Sequence, residues 1–452
     1  MIVSKNPYNG KVLAEHKEFS SEDIIKALSK ADTAFKDWRK TSFEERSRLL
    51  LKVAKVLKEN KQEYAETMTK EMGKPISQSL AEVEKCAWVC EYYAENAEKQ
   101  LSEEQITTDA KESFIRYDPL GVILAVMPWN YPFWQVFRFA APALMAGNVC
   151  VLKHASNVMM CAANLEEIFK KAGFPEGCFK NLVIGSDKVE EVIKDARVKA
   201  VTLTGSGPAG SAVAATAGKE IKKTVLELGG SNALVVFKDA NLEKTVKVCV
   251  QARFQNTGQS CIAGKRLLLQ ESVADEFLKL FKNEVENLKS GDPMDEDTYV
   301  GVQAREDLAK DLDKQVQESV KMGAEILMGG KRKDAYYEPT ILTGVTPEMP
   351  VFKEETFGPA IGVTTFKDEN EAIDLVNASQ YGLGVSLFTK DLAKAKELAG
   401  QIEDGAVFVN ELVKSDPRLP FGGTKNSGYG RELSFVGIKE FVNIKTVYIN
   451  QF

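Results

Sequence analysis

The sequence predicts an α/β protein made of two doubly wound α/β domains, with strand segments that belong to neither sheet. Three observations carry that prediction. Residues 20–100 place apolar side chains at helical spacing. From residue 122 onward, short β-branched runs alternate with helical segments. The chain also has 452 residues at 44% hydrophobic content, enough for two or three domains.

The N-terminal part reads as helices. "SSEDIIKALSKADTAFKDW" carries Ile24, Ile25, Leu28, Ala31, Phe35 and Trp38 behind a capping Ser20. "SFEERSRLLLKVAKVLKEN" opens with Ser42 and Glu45 at capping-box spacing. "SQSLAEVEKCAWVCEYYAENAEKQ" is a third long helix. The strands that follow are "VILAVMPW", "NVCVLK", "NLVIG", "KAVTLTG" and "KTVLEL", with helical patterns such as "VMMCAANLEEIFKKAG" between them. Strand alternating with helix means βαβ units and a buried parallel sheet. The pattern resumes in "NALVVF", "KRLLLQ", "AEILMGG", "IGVTTF", "GVSLFTK" and "GAVFVN", so a second α/β unit follows a join near 227–232. Residues 106–121 and the tail "VNIKTVYINQF" have strand character but belong to neither sheet. They are expected to pair with each other or with another subunit.

The bulk numbers exclude several classes. The net charge is −6, with no long basic run, so no nucleic-acid or membrane surface is expected. No stretch reaches the ~18 apolar residues of a membrane span, and the start lacks a signal-peptide pattern, so a cytoplasmic protein is expected. The seven cysteines (Cys86, Cys90, Cys150, Cys161, Cys178, Cys249, Cys261) are odd in number and widely spaced, unlike a disulfide framework. Cys86 and Cys90 share a helix face and read as core. With only His16 and His154 available, neither a metal site nor a His-based triad is expected.

"TLTGSGPAG" places Gly205, Gly207 and Gly210 in a G-x-G-x-x-G match between a strand and a helix. Glu227 lies near the place where a ribose-binding acid would follow. It is equally a general base aimed at a cysteine, and spacing alone does not choose. "FQNTGQSCIAGKR" sets Cys261 behind Gly258, Gln259 and Ser260, flanks that suit a turn better than an apolar core.

Five stretches together resemble the aldehyde dehydrogenase superfamily: "MPWNYPFWQVFR", "VLELGGSN", "FQNTGQSCIAGKR", "EETFGP" and "PFGGTKNSGYGRE". The match covers essentially the whole chain, in order. Through "KHASN", "FWQVFRFAAP" and "SDPRLPFGG" the sequence is most similar to the short bacterial succinate-semialdehyde dehydrogenases. The resemblance implies a cofactor-binding domain from 1–105 and 122–226, a catalytic domain from 227–426, and bridging, oligomerisation strands at 106–121 and 436–452. It implies that the helix after Ser206 flanks the coenzyme, which does not sit over Gly205–Gly210 in the usual dinucleotide manner. It also makes Glu227 the base.

The chemistry fits those residues. A thiol with pKa about 8.5 is only a few per cent ionised at neutral pH, so Cys261 needs a base to become a nucleophile. By resemblance, Cys261 forms a thiohemiacetal, Asn130 and the Cys261 backbone N–H hold its oxyanion, and the thioester left by hydride transfer is hydrolysed with Glu227 again as base. Trp129, Lys153, Ser156, Gly205, Ser206, Glu355 and Phe357 are the expected cofactor contacts. Ser156 stands where many NAD-preferring relatives carry a glutamate. A glutamate repels a 2′-phosphate whereas a serine donates to it beside Lys153, so NADP is favoured, with NAD as the alternative. His154, where proline commonly follows the lysine, is read as structural.

Trp134 and Arg138 are four apart and share a helix face. Arg138 is read as the clamp on a substrate carboxylate, with Trp134 as channel wall and Ser260 and Ser415 as weaker partners. The alternative pairs Arg138 with a neighbouring acid. The expected substrate is a small aldehyde, best matched by succinate semialdehyde, with glutarate semialdehyde or other aliphatic aldehydes next. A homodimer or homotetramer is expected. A thiol acyltransferase, a CoA-acylating relative and a catalytically silent binding relative are the rival classes. No His lies in a matching motif for the first, Glu227 argues for hydrolysis against the second, and the intact set of Cys261, Glu227 and Asn130 disfavours the third.

Overall fold

The computed structural model describes residues 1–451. The helices Ser21–Trp38, Phe43–Glu59 and Ile76–Gln100 form as the spacing predicts, and a further helix, Lys61–Met72, lies between the last two. Ser20 closes a reciprocal capping box with Asp23, and Ser42 accepts from the Glu45 backbone N–H. The buried faces of these helices pack over the first sheet in one continuous core that includes Cys86 and Cys90. All seven cysteines are free.

The first sheet runs in the order Gly428–Tyr429, Lys223–Glu227, Val198–Thr204, Val122–Met127, Val149–His154, Phe179–Asn181. All its neighbours are parallel except the first pair. Leu182–Gly185, read as strand, leaves the ladder after Asn181. The chain steps from Val122–Met127 to one side and later returns on the other. The order therefore reverses between Val122–Met127 and Val198–Thr204, and ligands of doubly wound sheets bind in the crevice at such a reversal.

The second sheet has the order Glu325–Met328, Thr340–Thr343, Ala360–Phe366, Gly264–Gln270, Asn232–Val236, Val385–Phe388, Val407–Val409. Only its first pair is antiparallel. Both faces are covered: Ala233 and Val235 enter one core, Leu234 and Val236 the other. The chain passes from the first sheet to the second through Leu228–Ser231.

The two segments without an obvious home pair with each other. Val442–Ile449 runs antiparallel to Glu112–Pro119 over eight registered pairs, and Glu104–Gln105 adds a third strand. Ile2–Lys5 and Val12–His16 form a separate N-terminal ladder. Among the described residues no helix is long and apolar enough to cross a membrane, and no cluster of His, Cys, Asp or Glu could hold a metal ion.

Candidate active site

The C-terminal edge of the first sheet faces loops that enter the second sheet. Cys261 precedes the strand Gly264–Gln270, and the 354–359 loop precedes Ala360–Phe366, so the second sheet contributes its N-terminal edge. A cavity of about 400 Å³ lies in this cleft at the reversal point. Trp129 and Asn130 reach it from the end of Val122–Met127, Gly205 and Ser206 from the end of Val198–Thr204, and Glu355, Phe357 and Cys261 from the opposite side.

The lining suits a nicotinamide dinucleotide. Ser206 precedes the thirteen-residue helix Gly207–Lys219 without a side-chain cap, which leaves the Gly207 and Ala209 N–H groups without a capping partner, while Pro208 has no N–H. A Cβ on Gly207 would meet nothing within 4 Å, whereas one on Gly210 would strike Leu228 at 2.6 Å. Gly210 thus serves helix–strand packing rather than a ligand. Trp129 and Phe357 meet edge to face at 5.6 Å between centroids, giving the cavity an aromatic wall. Glu355 accepts from the Gly230 N–H (3.0 Å) and Lys265 Nζ (2.9 Å) through Oε1. Lys153 and Ser156 sit at the end of the neighbouring strand, on the same edge but outside the lining of this cavity. Burial pushes the Lys153 ammonium below its ordinary value.

The loop that presents Cys261 is tightly specified. Asn256 and Thr257 hold left-handed conformations (φ 56° and 55°), uncommon for residues other than glycine. Asn256 Nδ2 donates to the carbonyls of both Asn130 and Gln259, each at 2.9 Å. One buried amide therefore ties the Asn130 backbone to the cysteine loop. Gly258 is required, since a Cβ there would lie 2.4 Å from the Gly358 carbonyl. Lys265 Nζ donates to the Cys261 carbonyl at 2.7 Å, linking the loop to Glu355. Asn130 Nδ2 donates to Gln259 O at 3.2 Å, which leaves its second amide hydrogen for a ligand. Asn256 and Lys265 were not singled out in the sequence, because they hold the cysteine loop and Glu355 in place rather than carry a recognisable reactive group.

Cys261 is half-buried. Burial pushes its thiol up to about 11, with Arg138 and Lys265 pulling the other way. The resting residue is thus a thiol, and a base is needed. Glu227 ends the strand Lys223–Glu227, is buried, and has both carboxylate oxygens without a protein hydrogen bond. Its pKa is lifted well above the usual carboxylate range, first by burial and then by Glu432, while Arg138 opposes the rise. A lifted carboxylate is a stronger base and a better match for a thiol. Gly422 makes room for it: a Cβ there would sit 2.7 Å from Glu227 Oε1.

Cys261 also lines a second cavity of about 400 Å³, together with Trp134, Arg138, Ser260, Ser415, Lys85 and Phe421. Trp134 and Arg138 do share the face of Trp134–Met145 that walls it. Arg138, read as the carboxylate clamp, lines this cavity and is also held by buried partners. Its guanidinium forms a buried salt bridge with Glu432, donates to Thr204 Oγ1 at 3.2 Å, and stacks over Phe421 at 4.5 Å. One partner of its charge is thus a residue far along the chain, while Arg138 still borders the cavity. Ser260 is buried on the cavity wall, and Ser415 accepts from Lys85 Nζ at 2.8 Å.

His154 is fully buried and structural. Its Nε2 lies 2.8 Å from the Pro132 carbonyl, and its Nδ1 accepts from the Ala155 N–H at 2.9 Å. A neutral ring protonated on Nε2 satisfies both contacts and pins the loop bearing Trp129 and Asn130 to the neighbouring strand. Burial holds the ring down at about 4.

Cys261 thus lines both cavities, Asn130 lines the first, and the buried, unpaired Glu227 lines neither. The aldehyde dehydrogenase family profile matches residues 1–447, and the chain belongs to that family. It is 50% identical over 451 residues to a Synechocystis protein described as "Probable succinate-semialdehyde dehydrogenase", NADP(+)-dependent, covering 99% of each chain. It is 45% identical to the Escherichia coli K12 succinate semialdehyde dehydrogenase Sad, described as NAD(P)+-dependent, covering 99% of this chain and 97% of the other. The crystal structure of Streptococcus pyogenes succinic semialdehyde dehydrogenase with NADP+ superposes at a TM-score of 0.97, with 38% identity and all of both chains covered.

Proposed function

We propose that this protein oxidises succinate semialdehyde to succinate through a covalent adduct on Cys261, with NADP as the favoured coenzyme and NAD as an alternative. The observation that carries the reading is the position of Cys261 in the linings of both cavities, the coenzyme-type crevice and the second pocket. The similarity to relatives described as NADP-linked succinate-semialdehyde dehydrogenases supports the substrate and the coenzyme.

Glu227 takes the Cys261 proton, directly or through water, and the thiolate adds to the aldehyde carbon. The free Asn130 amide hydrogen and the Cys261 N–H hold the oxyanion of the tetrahedral adduct. Trp129, Gly205, Ser206, Glu355 and Phe357 hold the nicotinamide coenzyme, with Lys153 and Ser156 toward its adenosine end, and when bound it supplies the hydride acceptor. Glu227 then activates the water that cleaves the thioester, releasing the carboxylate and restoring the thiol.

The domain assignment belongs to the same proposal: a coenzyme-binding unit on the first sheet, a catalytic unit on the second, and the three-stranded sheet as the bridge. Val442–Ile449 is the edge of that small sheet and exposes Ile444, Tyr448 and Ile449. An exposed apolar edge strand is a template for pairing with another chain, which supports a homodimer or homotetramer. A cytoplasmic location completes the reading. Initial rates with NAD and NADP, on succinate semialdehyde and on butanal, test it.

A further inference from the structure

Asn130 lies in the link 128–133, between the strand Val122–Met127 and the helix Trp134–Met145. Side chains from other elements hold that link. Asn256 Nδ2 donates to the Asn130 carbonyl, and His154 Nε2 lies against the Pro132 carbonyl. A further hold is on the helix start, where the apolar Phe133 offers no side-chain cap. Glu82 Oε1 accepts from the Phe133 and Trp134 N–H groups, at 2.9 Å each. Such N–H groups have no partner within their own helix and carry the positive end of its dipole, so a carboxylate is the strongest side-chain acceptor for them.

Glu82 projects from the helix Ile76–Gln100 and is buried. A buried carboxylate needs a cation. Lys74 supplies it from the link 73–75 that leads into the same helix. Lys74 is fully buried, pairs with Glu82 through Oε2, and lies 4.0 Å from the Tyr131 ring centroid. The pair therefore grips the link both at the ring next to Asn130 and at the backbone of its far end. A buried ion pair adds little stability over an apolar pair of similar volume, whereas removing one partner strands the other charge. What the pair adds here is a fixed backbone close to the oxyanion donor.

We propose that Glu82, with Lys74 as its counter-charge, is a positioning residue for the oxyanion site. It holds the link so that the free Asn130 amide hydrogen is already aimed at the place of the Cys261 adduct when the aldehyde arrives. This rests on the role given to Asn130 above. A preorganised donor loses its effect when displaced, and a shift of about 1 Å costs on the order of 100-fold in rate.

The test uses the full-length enzyme with succinate semialdehyde and saturating NADP. It reads kcat, coenzyme affinity by fluorescence titration, and the urea midpoint. Glu82→Gln with Lys74→Met keeps the acceptor oxygen and strands no charge, so it is expected to keep most of kcat. Glu82→Leu with Lys74→Met removes the acceptor and is expected to lower kcat about 10- to 100-fold, with coenzyme affinity little changed. Where that pair fails to fold, Glu82→Asp, shorter and still charged, takes its place. Asn130→Ala separates positioning from general damage. In its background the same change at Glu82 is expected to cost almost nothing further, because the group it positions is gone. An equal loss with and without Asn130, or no loss when the acceptor is removed or withdrawn, overturns the positioning role. An Asn130→Ala variant with undiminished kcat overturns the oxyanion reading itself.

Discussion

Replacing Arg138 with methionine leaves the carboxyl group of Glu432 buried without its cation, close to the equally buried Glu227. Removing one partner of a buried ion pair costs about 3–5 kcal/mol, because the other charge stays desolvated. The side chain is 2% exposed, so water does little to screen the loss. Replacing both partners by neutral groups of similar shape is nearly neutral by comparison. Arg138→Met is therefore expected to lower stability by about 3–5 kcal/mol, and Arg138→Met with Glu432→Gln to recover most of it. Urea unfolding at one fixed protein concentration gives the four corners of the cycle. Arg138 also holds the Glu227 pKa down, so its loss moves the acidic limb of the kcat profile to higher pH. A cost below about 1 kcal/mol would refute this reasoning.

Two more outcomes follow from the site. Asn130→Ala should lower kcat about 100- to 1,000-fold while coenzyme affinity, read by fluorescence titration, changes little; an unchanged kcat removes Asn130 from the oxyanion site. His154 titrates at about 4 when folded, against an ordinary 6.5 for an imidazole in water, so the folded state disfavours its protonation. Its stabilisation is complete above about pH 6.5 and is lost as pH falls toward 4, by about 3 kcal/mol in all. The wild type should lose that much more than His154→Gln between pH 7 and 4 in paired unfolding curves. Parallel curves would show that the ring does not couple to folding.

The periodic parts of the fold were legible in the sequence. The change from helical spacing to β-branched runs located both sheets, because a strand buried on both faces needs a continuous apolar run. Lys61–Met72 was missed because it follows Phe43–Glu59 after only Asn60, which caps without a side-chain bond. Cys261 stood out by its flanks, whereas Glu227 and Asn130 were singled out only through the family resemblance, since spacing alone did not choose a role for Glu227. The pairing of Arg138 was open because Glu432 lies on a strand-like return near the end of the chain, which no local pattern connects to Trp134–Met145.

The most direct test of the central claim is the matrix of initial rates with NAD and NADP, on succinate semialdehyde and butanal, for wild type and Cys261→Ala. The account predicts the highest kcat/KM with NADP and succinate semialdehyde, and no turnover in Cys261→Ala despite retained coenzyme binding. A wild type inactive with every pair, or a Cys261→Ala variant that still turns over, would contradict it.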